Sequence, residues 1–373
     1  MVNVMETQLY DAALSCSAPM EVNQRYSLAE RARRLERSHQ WLQGLREVAD
    51  YPQGREQAFK SVLFYRNFER FSGGHLKVWH YFNHVQACAG YHPYIYFYTR
   101  ESVWDFTNPW RRTAPHRILS QPLSQPDLIF LDGLDWRAIA PRERENSPVP
   151  IINLIQHVRH GDSQNSRYEF LTHKAIRICV SEAVAIALRE SGRVNGPLFV
   201  IPNGLDVQEL PSPLDESQRD EAILIAALKE PELGKQLKTE LDGWGCQVRL
   251  LCDRLPRPDY LQELRRAKLA VFLPNRLEGE GFYLPALEAM ALRTLVICPD
   301  CLGNRDFCLP NETCFRPDYQ FSKILAAIKT ALNLNNSQRN PVLDQAKKQV
   351  EAHQLRREKH RFYKILENLA DIW

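Results

Sequence analysis

LAVFLPNRLEGEGFYLPALEAMA, residues 269–291, is the stretch around which the chain is organised. Leu269 to Pro274 is a short apolar run of strand character, and Asn275 to Gly281 is a polar, glycine-containing loop. From Leu284 the apolar positions Leu287, Met290 and Ala291 recur at helical spacing, so the stretch reads strand, loop, helix start. Two carboxylates, Glu280 in the loop and Glu288 two turns into the expected helix, lie eight positions apart. The free N–H groups and macrodipole of a helix start favour anions, which suits a ligand carrying hydroxyls and a phosphate. A bare pair of glutamates at such a place can equally do no more than complement the dipole.

Glu280-Gly281-Phe282, Leu284-Pro285 and Leu287-Glu288-Ala289-Met290-Ala291 add context. Together they resemble, nearly residue for residue, the E-x7-E signature of retaining glycosyltransferases of family 4. The resemblance implies an α/β chain of GT-B architecture: two Rossmann-like domains facing each other across a cleft, with a nucleotide-sugar held mainly by the C-terminal one. It puts Glu280 on the hydroxyls of the donor sugar and Glu288 on the ribose hydroxyls. Gly281, Phe282 and Leu284 then belong to the donor site.

Length and composition agree with two soluble domains. At 373 residues the chain can bury two cores, and 44% hydrophobic with 25% charged residues is ordinary globular composition. A net charge of +3 is too small, without a recognised motif, to argue for nucleic acid. No apolar run reaches the roughly 18 residues that span a bilayer, and the N-terminus lacks the pattern of a signal peptide. A cytoplasmic location is expected, with contact at the inner membrane face left open. Nine scattered cysteines read as reduced thiols. Cys298, Cys301, Cys308 and Cys314 do not make a paired C-x2-C set, so no metal site is assigned.

Taken in order, residues 1–57 are expected to be an extension containing an amphipathic helix from Ser27 to Val48, whose arginine-bearing face leaves partner or membrane contact open. Residues 58–206 are expected to form the first Rossmann-like, acceptor-side domain. Within it the strand Ser61–Tyr65 leads to Gly73 and Gly74 ahead of a helix from His75 to Ala89, a plan by which backbone amides approach phosphate. Trp104 to Arg117 mixes aromatics with arginine, which suits sugar stacking, an anionic lipid surface, a partner or simply a covered loop. Asp132-Gly133-Leu134-Asp135 follows a strand and is not a D-x-D metal motif. The strand Pro150–Gln156 ends at His157, and strand ends are where open α/β sheets contact ligands. In the family a histidine here stands near the reacting anomeric carbon, which makes His157 a catalytic candidate beside Glu280, with His160 its competitor.

Residues 207–220, polar with two prolines, read as the linker. The strand Ala222–Leu228 opens the nucleotide-sugar domain, residues 221–340, and Lys229 and Lys235 follow it. The family clamps the diphosphate with an arginine and a lysine at this place. This chain has lysine for arginine and one residue more between them, so a point charge replaces a bidentate fork. The family's Gly-x-Pro after the E-x7-E helix is replaced by Arg293-Thr294-Leu295. Residues 341–373 are expected to be helical and, by the resemblance, to cross back to the first domain.

The expected activity is transfer of a hexose from a nucleotide-diphosphate sugar to a hydroxyl of a carbohydrate, glycolipid or small-molecule acceptor, with retained configuration and no cofactor beyond the donor substrate. A non-catalytic scaffold of the same fold and a nucleotide-sugar epimerase are the competing readings.

Overall fold

The computed structural model describes residues 59–373, apart from 100, 101, 103, 105, 106 and 146. The amphipathic stretch Ser27 to Val48 lies outside the described residues. The first sheet contains β1 (Lys60–Arg66), β2 (Tyr91–Phe97), β3 (Ile118–Leu119), β4 (Leu128–Asp132), β5 (Ile151–Ile155), β6 (Ile176–Cys179) and β7 (Leu198–Val200). They lie parallel in the order β3-β2-β1-β4-β5-β6-β7. The second sheet is also parallel, with β8 (Glu221–Ala226), β9 (Val248–Leu251), β10 (Ala267–Phe272) and β11 (Leu295–Ile297) in the order β11-β10-β8-β9. The mainly apolar strands β4, β5 and β6 are buried along their whole length, because helices cover both faces of a parallel sheet.

The helices used below are α1 (Gly73–Gln86), α2 (Glu182–Glu190), α3 (Pro231–Gly243), α4 (Arg257–Arg266), α5 (Leu284–Ala291), α6 (Phe321–Leu332), α7 (Asn336–Ala352) and α8 (Leu355–Glu367). Each sheet has one place where successive strands leave in opposite directions, between β1 and β4 in the first and between β8 and β10 in the second. Crevices at the carboxyl ends of such strand pairs are where open α/β sheets bind ligands. Ser72 caps α1 by accepting from the His75 N–H at 3.3 Å, so the helix starts at Gly73 instead of His75.

Two chain crossings join the lobes. Ala346 and Val350 of α7 pack into the second core, whereas Phe362, Ile365 and Leu366 of α8 pack into the first. At the break between these helices Leu205 donates to the His353 carbonyl at 2.7 Å, and Leu355 donates back to Leu205 at 3.0 Å. α7 begins at Asn336, ahead of Pro341, because Asn335 and Gln338 form a capping box.

Three stretches gain detail. Residues 207–220 read as a polar linker, yet Arg219 is buried. Its guanidinium donates to the carbonyls of Arg265 (3.0 Å), Ala267 (2.6 Å), Leu214 (3.1 Å) and Leu292 (2.7 Å) and to Thr294 Oγ1 (3.0 Å). Three of those carbonyls, of Arg265, Ala267 and Leu292, lie at the C-terminal ends of α4 and α5, where unsatisfied oxygens need a donor. In the Trp104 to Arg117 stretch, Trp104 and Trp110 are buried, and Trp110 meets Phe82 edge-on with centroids 5.2 Å apart. These rings fill the core beside α1, which is the covered loop among the readings the sequence left open.

Arg293, standing where the resemblance expects glycine, takes the left-handed conformation that glycine favours, with φ 56°. Its neighbour Thr294 donates to the Ala289 carbonyl at 2.9 Å and closes the end of α5. Arg293→Val should therefore cost about 1–2 kcal/mol, since a β-branched residue is strained at this φ, whereas Arg293→Gly should stay within about 1 kcal/mol of the parent. Urea unfolding of both variants checks this.

Candidate active site

Both switch points face the same gap. Lys229 follows β8 and Glu280 follows β10, the two strands that flank the second switch point. The Lys229 ammonium donates to Glu280 Oε1, which also accepts from the Asn275 N–H at 3.2 Å. Glu280 is largely covered while Lys229 is half exposed, so the pair sits at the mouth of the second sheet. His157 follows β5 on the opposite wall. Its Nδ1 accepts from the Arg159 N–H at 3.2 Å, which leaves the proton of the neutral ring on Nε2. Burial and then Arg159 push the His157 pKa down, with Glu280 opposing, so the ring is neutral at pH 7.

The walls touch through glycine. A Cβ on Gly281 would lie 1.9 Å from the Gln156 carbonyl oxygen and 2.9 Å from His157 Cα, so only a bare backbone fits there. Ser181, the cap of α2, donates its hydroxyl to the Gly281 carbonyl at 2.7 Å. On the other side Gln156 Nε2 donates to the Gly74 carbonyl at 3.1 Å. A Cβ on Gly73 would lie 3.9 Å from Leu284 Cδ1, at the start of α5. The structure thus brings Gly73, Gly74, His157, Lys229, Glu280, Gly281 and Leu284 to one place. The amino ends of α1 and α5 meet across the gap, and helix amino ends attract anions.

The remaining candidates stand apart from that centre. Glu288 is the fifth residue of α5, little more than one turn in, and is only 3% exposed. Arg257, the first residue of α4, donates to Glu288 Oε1 at 2.5 Å. Burial pushes the Glu288 carboxyl up and Arg257 opposes it. Lys235 is exposed on α3, where it pairs with Glu232 at 2.7 Å. The Phe282 ring packs against Phe307 and His353 at 5.2 and 5.8 Å, so its backbone is what lies at the gap. Cys298, Cys301, Cys308 and Cys314 are buried in the second core. His160 is buried, and its pKa is driven well down by burial and then Arg167 and Arg159.

Two groups escaped the sequence reading. Arg257 carried a weak signal, a basic residue opening a helix just after a strand end. The other is a network at the first switch point. Arg66, which ends β1, donates to Asp132 at 2.8 Å and Asp135 at 2.9 Å from Nη1, and to His75 Nδ1 at 3.1 Å from Nε. Tyr98 donates to the other oxygen of Asp135 at 3.0 Å, and burial lifts the Asp135 carboxyl to about 6. Asp132 and Asp135 attracted attention in the sequence only as a failed metal motif.

No protein-family model and no curated protein matches the sequence. Solved structures do resemble the fold. Sucrose-phosphate synthase from Thermosynechococcus elongatus is 15% identical, covers 84% of this chain and 99% of its own, and superposes with a TM-score of 0.64. Anabaena HepE in complex with UDP-glucose is 14% identical over 83% of this chain and 99% of its own, with a TM-score of 0.63. A glycosyltransferase from Rickettsia africae is 12% identical over 84% and 99%, with a TM-score of 0.59. The chain has the α/β GT-B fold these proteins share, with parallel sheets on either side of a cleft. Among the described residues no helix is long and apolar enough to cross a membrane.

Proposed function

We propose that this chain is a retaining glycosyltransferase of the family 4 type, moving a sugar from a nucleotide-diphosphate donor to an acceptor hydroxyl in cytoplasmic polysaccharide or glycoconjugate synthesis. The observation that supports it best is the Lys229–Glu280 pair facing His157 across the contact at Gly281. A cation and a carboxylate that pair with each other can exchange partners for a ligand without leaving either charge alone. The donor diphosphate takes Lys229, and the sugar hydroxyls donate to Glu280.

In the reaction the bond between the anomeric carbon and the diphosphate oxygen breaks, and the acceptor oxygen bonds to that carbon on the same face. The acceptor proton passes to the departing diphosphate. Charge grows on phosphate and the sugar becomes oxocarbenium-like, so fixed positive potential from Lys229 and the amino ends of α5 and α1 lowers the barrier. Neutral His157 donates Nε2–H to a sugar oxygen and positions the ring. Glu288, held by Arg257, takes the ribose hydroxyls. The reading uses no cofactor, because the nucleotide-sugar is itself a substrate.

A thermal-shift panel of nucleotide-sugars tests this. A donor at 100 times its Kd adds about 2.7 kcal/mol of stability. At least one nucleotide-sugar should raise the melting temperature of the parent, and Glu288→Ala should abolish that rise. An unchanged response in Glu288→Ala overturns the ribose assignment, and a panel with no response at all overturns the transferase reading.

A further inference from the structure

We propose that the acceptor carries a phosphate group, seated between Arg159 and Arg167 at the carboxyl ends of β5 and β4, beside His157. The proposal rests on the transferase reading above and extends it to the class of acceptor.

Arg167 lies over the end of β4. A Cβ on Gly133, the residue after that strand, would be 3.6 Å from Arg167 Nε. Arg159 stands two residues beyond His157 and reaches across the gap toward Glu278 of the second lobe, at 3.5 Å, the outer limit of a hydrogen bond. Its Nε is buried without a hydrogen-bond partner among the described residues. The Arg167 guanidinium has only the Asn165 side-chain oxygen at 3.4 Å, and no ion pair among the described residues.

The acids that could neutralise Arg167 are already engaged. Asp132 and Asp135 both accept from Arg66 Nη1. Burial and then Arg159 pull the Arg167 pKa down, with Arg137 adding to this and Asp132 and Asp135 opposing. β4 and β5 are adjacent parallel strands, so Arg167 over the end of one and Arg159 beyond the end of the other stand at the same rim, where an anion bridging them removes the cost of like charges held together. Their planar forks match phosphate oxygens, and a neutral sugar would leave Arg167 without an ion-pair partner among the described residues and Arg159 with only its 3.5 Å pair to Glu278.

The location separates this site from the donor phosphates. Lys229 and the start of α5 belong to the second lobe, whereas Arg159 and Arg167 follow strands of the first, with His157 between. A phosphate held on the first lobe anchors one end of the acceptor and leaves a hydroxyl free to approach the anomeric carbon near His157.

Calorimetric titration with glucose 6-phosphate, mannose 6-phosphate and fructose 6-phosphate, each against its parent sugar, tests the site. Glucuronate serves as the carboxylate arm. At least one monophosphate should bind the parent protein more than about tenfold tighter than its neutral sugar, as expected for charge-assisted bonds. Arg159→Ala and Arg167→Ala should each remove that preference, Arg167→Lys should keep part of it, and Lys229→Ala should leave it intact. The unliganded melting temperature of each variant establishes that it is folded.

Equal binding of phosphate and neutral sugars overturns the proposal. So does a preference that survives Arg159→Ala/Arg167→Ala or disappears in Lys229→Ala, which would put the phosphate in the donor site. Arginine-dependent binding of glucuronate as tight as that of the monophosphates replaces phosphate by carboxylate. Nucleoside diphosphate binding, measured separately, distinguishes the two readings. If nucleotides bind without any phosphate preference among sugars, the acceptor proposal fails alone. If sugar phosphates bind through the arginines and no nucleotide does, the transferase reading fails, and the phosphate site remains without an acceptor role.

Discussion

Glu358→Ala is expected to cost about 3–5 kcal/mol of unfolding free energy, the usual effect of breaking a fully buried ion pair. Glu358 lies on α8, inside the first lobe. It accepts from the Lys77 ammonium, from the Gly204 N–H at 2.5 Å and from His84 Nε2 at 3.0 Å. Lys77 also donates to the Gly204 carbonyl at 3.0 Å and to His80 Nδ1 at 3.3 Å. One carboxylate therefore ties together α1, the chain crossing at Gly204 and the returning C-terminal helix. Without it the Lys77 charge is buried with neutral acceptors only. Glu358→Gln keeps the shape and removes the charge, and it should fall between the parent and Glu358→Ala in urea unfolding.

The same network sets an acid limit. Burial pushes the Glu358 carboxyl up, but Lys77 and then His84 outweigh burial and hold it at about 2, against an ordinary value of 4.5. A carboxylate with a depressed folded pKa adds stability above its unfolded pKa and loses it as pH falls through the folded one. Its contribution, about 3 kcal/mol, is thus present above about pH 4.5 and disappears between there and about pH 2. The parent should lose more stability across that interval than Glu358→Gln does, a difference visible in unfolding curves taken at successive pH values.

Gly281→Ala is expected to lower kcat/KM about a hundredfold, with a much smaller effect on the stability of either lobe. The added methyl would stand 1.9 Å from the Gln156 carbonyl oxygen, where ordinary contact begins near 3.4 Å. The walls must separate by more than 1 Å, and His157, next in sequence to Gln156, moves away from Glu280. Rate losses of this size follow from misplacement on that scale. The variant should bind the nucleotide-sugar nearly as the parent does, since Lys229, Glu280 and Glu288 share the second lobe with Gly281. A normal rate in Gly281→Ala would show that the chemistry does not depend on this contact.

The strands, the fold class and the start of α5 were legible in the chain because they rest on local rules. Runs such as Ile151–Ile155 and residues 269–272 are wholly or almost wholly apolar, and Leu284, Leu287, Met290 and Ala291 keep helical spacing. α6 was not read, although Ile324, Ile328 and Ala331 are its buried positions, because no cap or turn signal marks its start. Within the site most candidates were found, Lys229 and His157 among them, but the pairings were not. The Lys229–Glu280 and Arg257–Glu288 ion pairs join residues from different strand ends, and Arg257 itself was not singled out. Arg159 and Arg167 carry no motif.

By itself the sequence determined most of the strands and helices and the strand, loop and helix start that carry Glu280 and Glu288, since backbone preference and apolar period act over a few residues. Only the tertiary structure decided that Arg219 would close helix ends, that Trp104 and Trp110 would fill a core, and which charges would neutralise one another. Burial and pairing depend on what the fold sets beside a side chain, and parallel sheets place at one edge residues that are far apart along the chain.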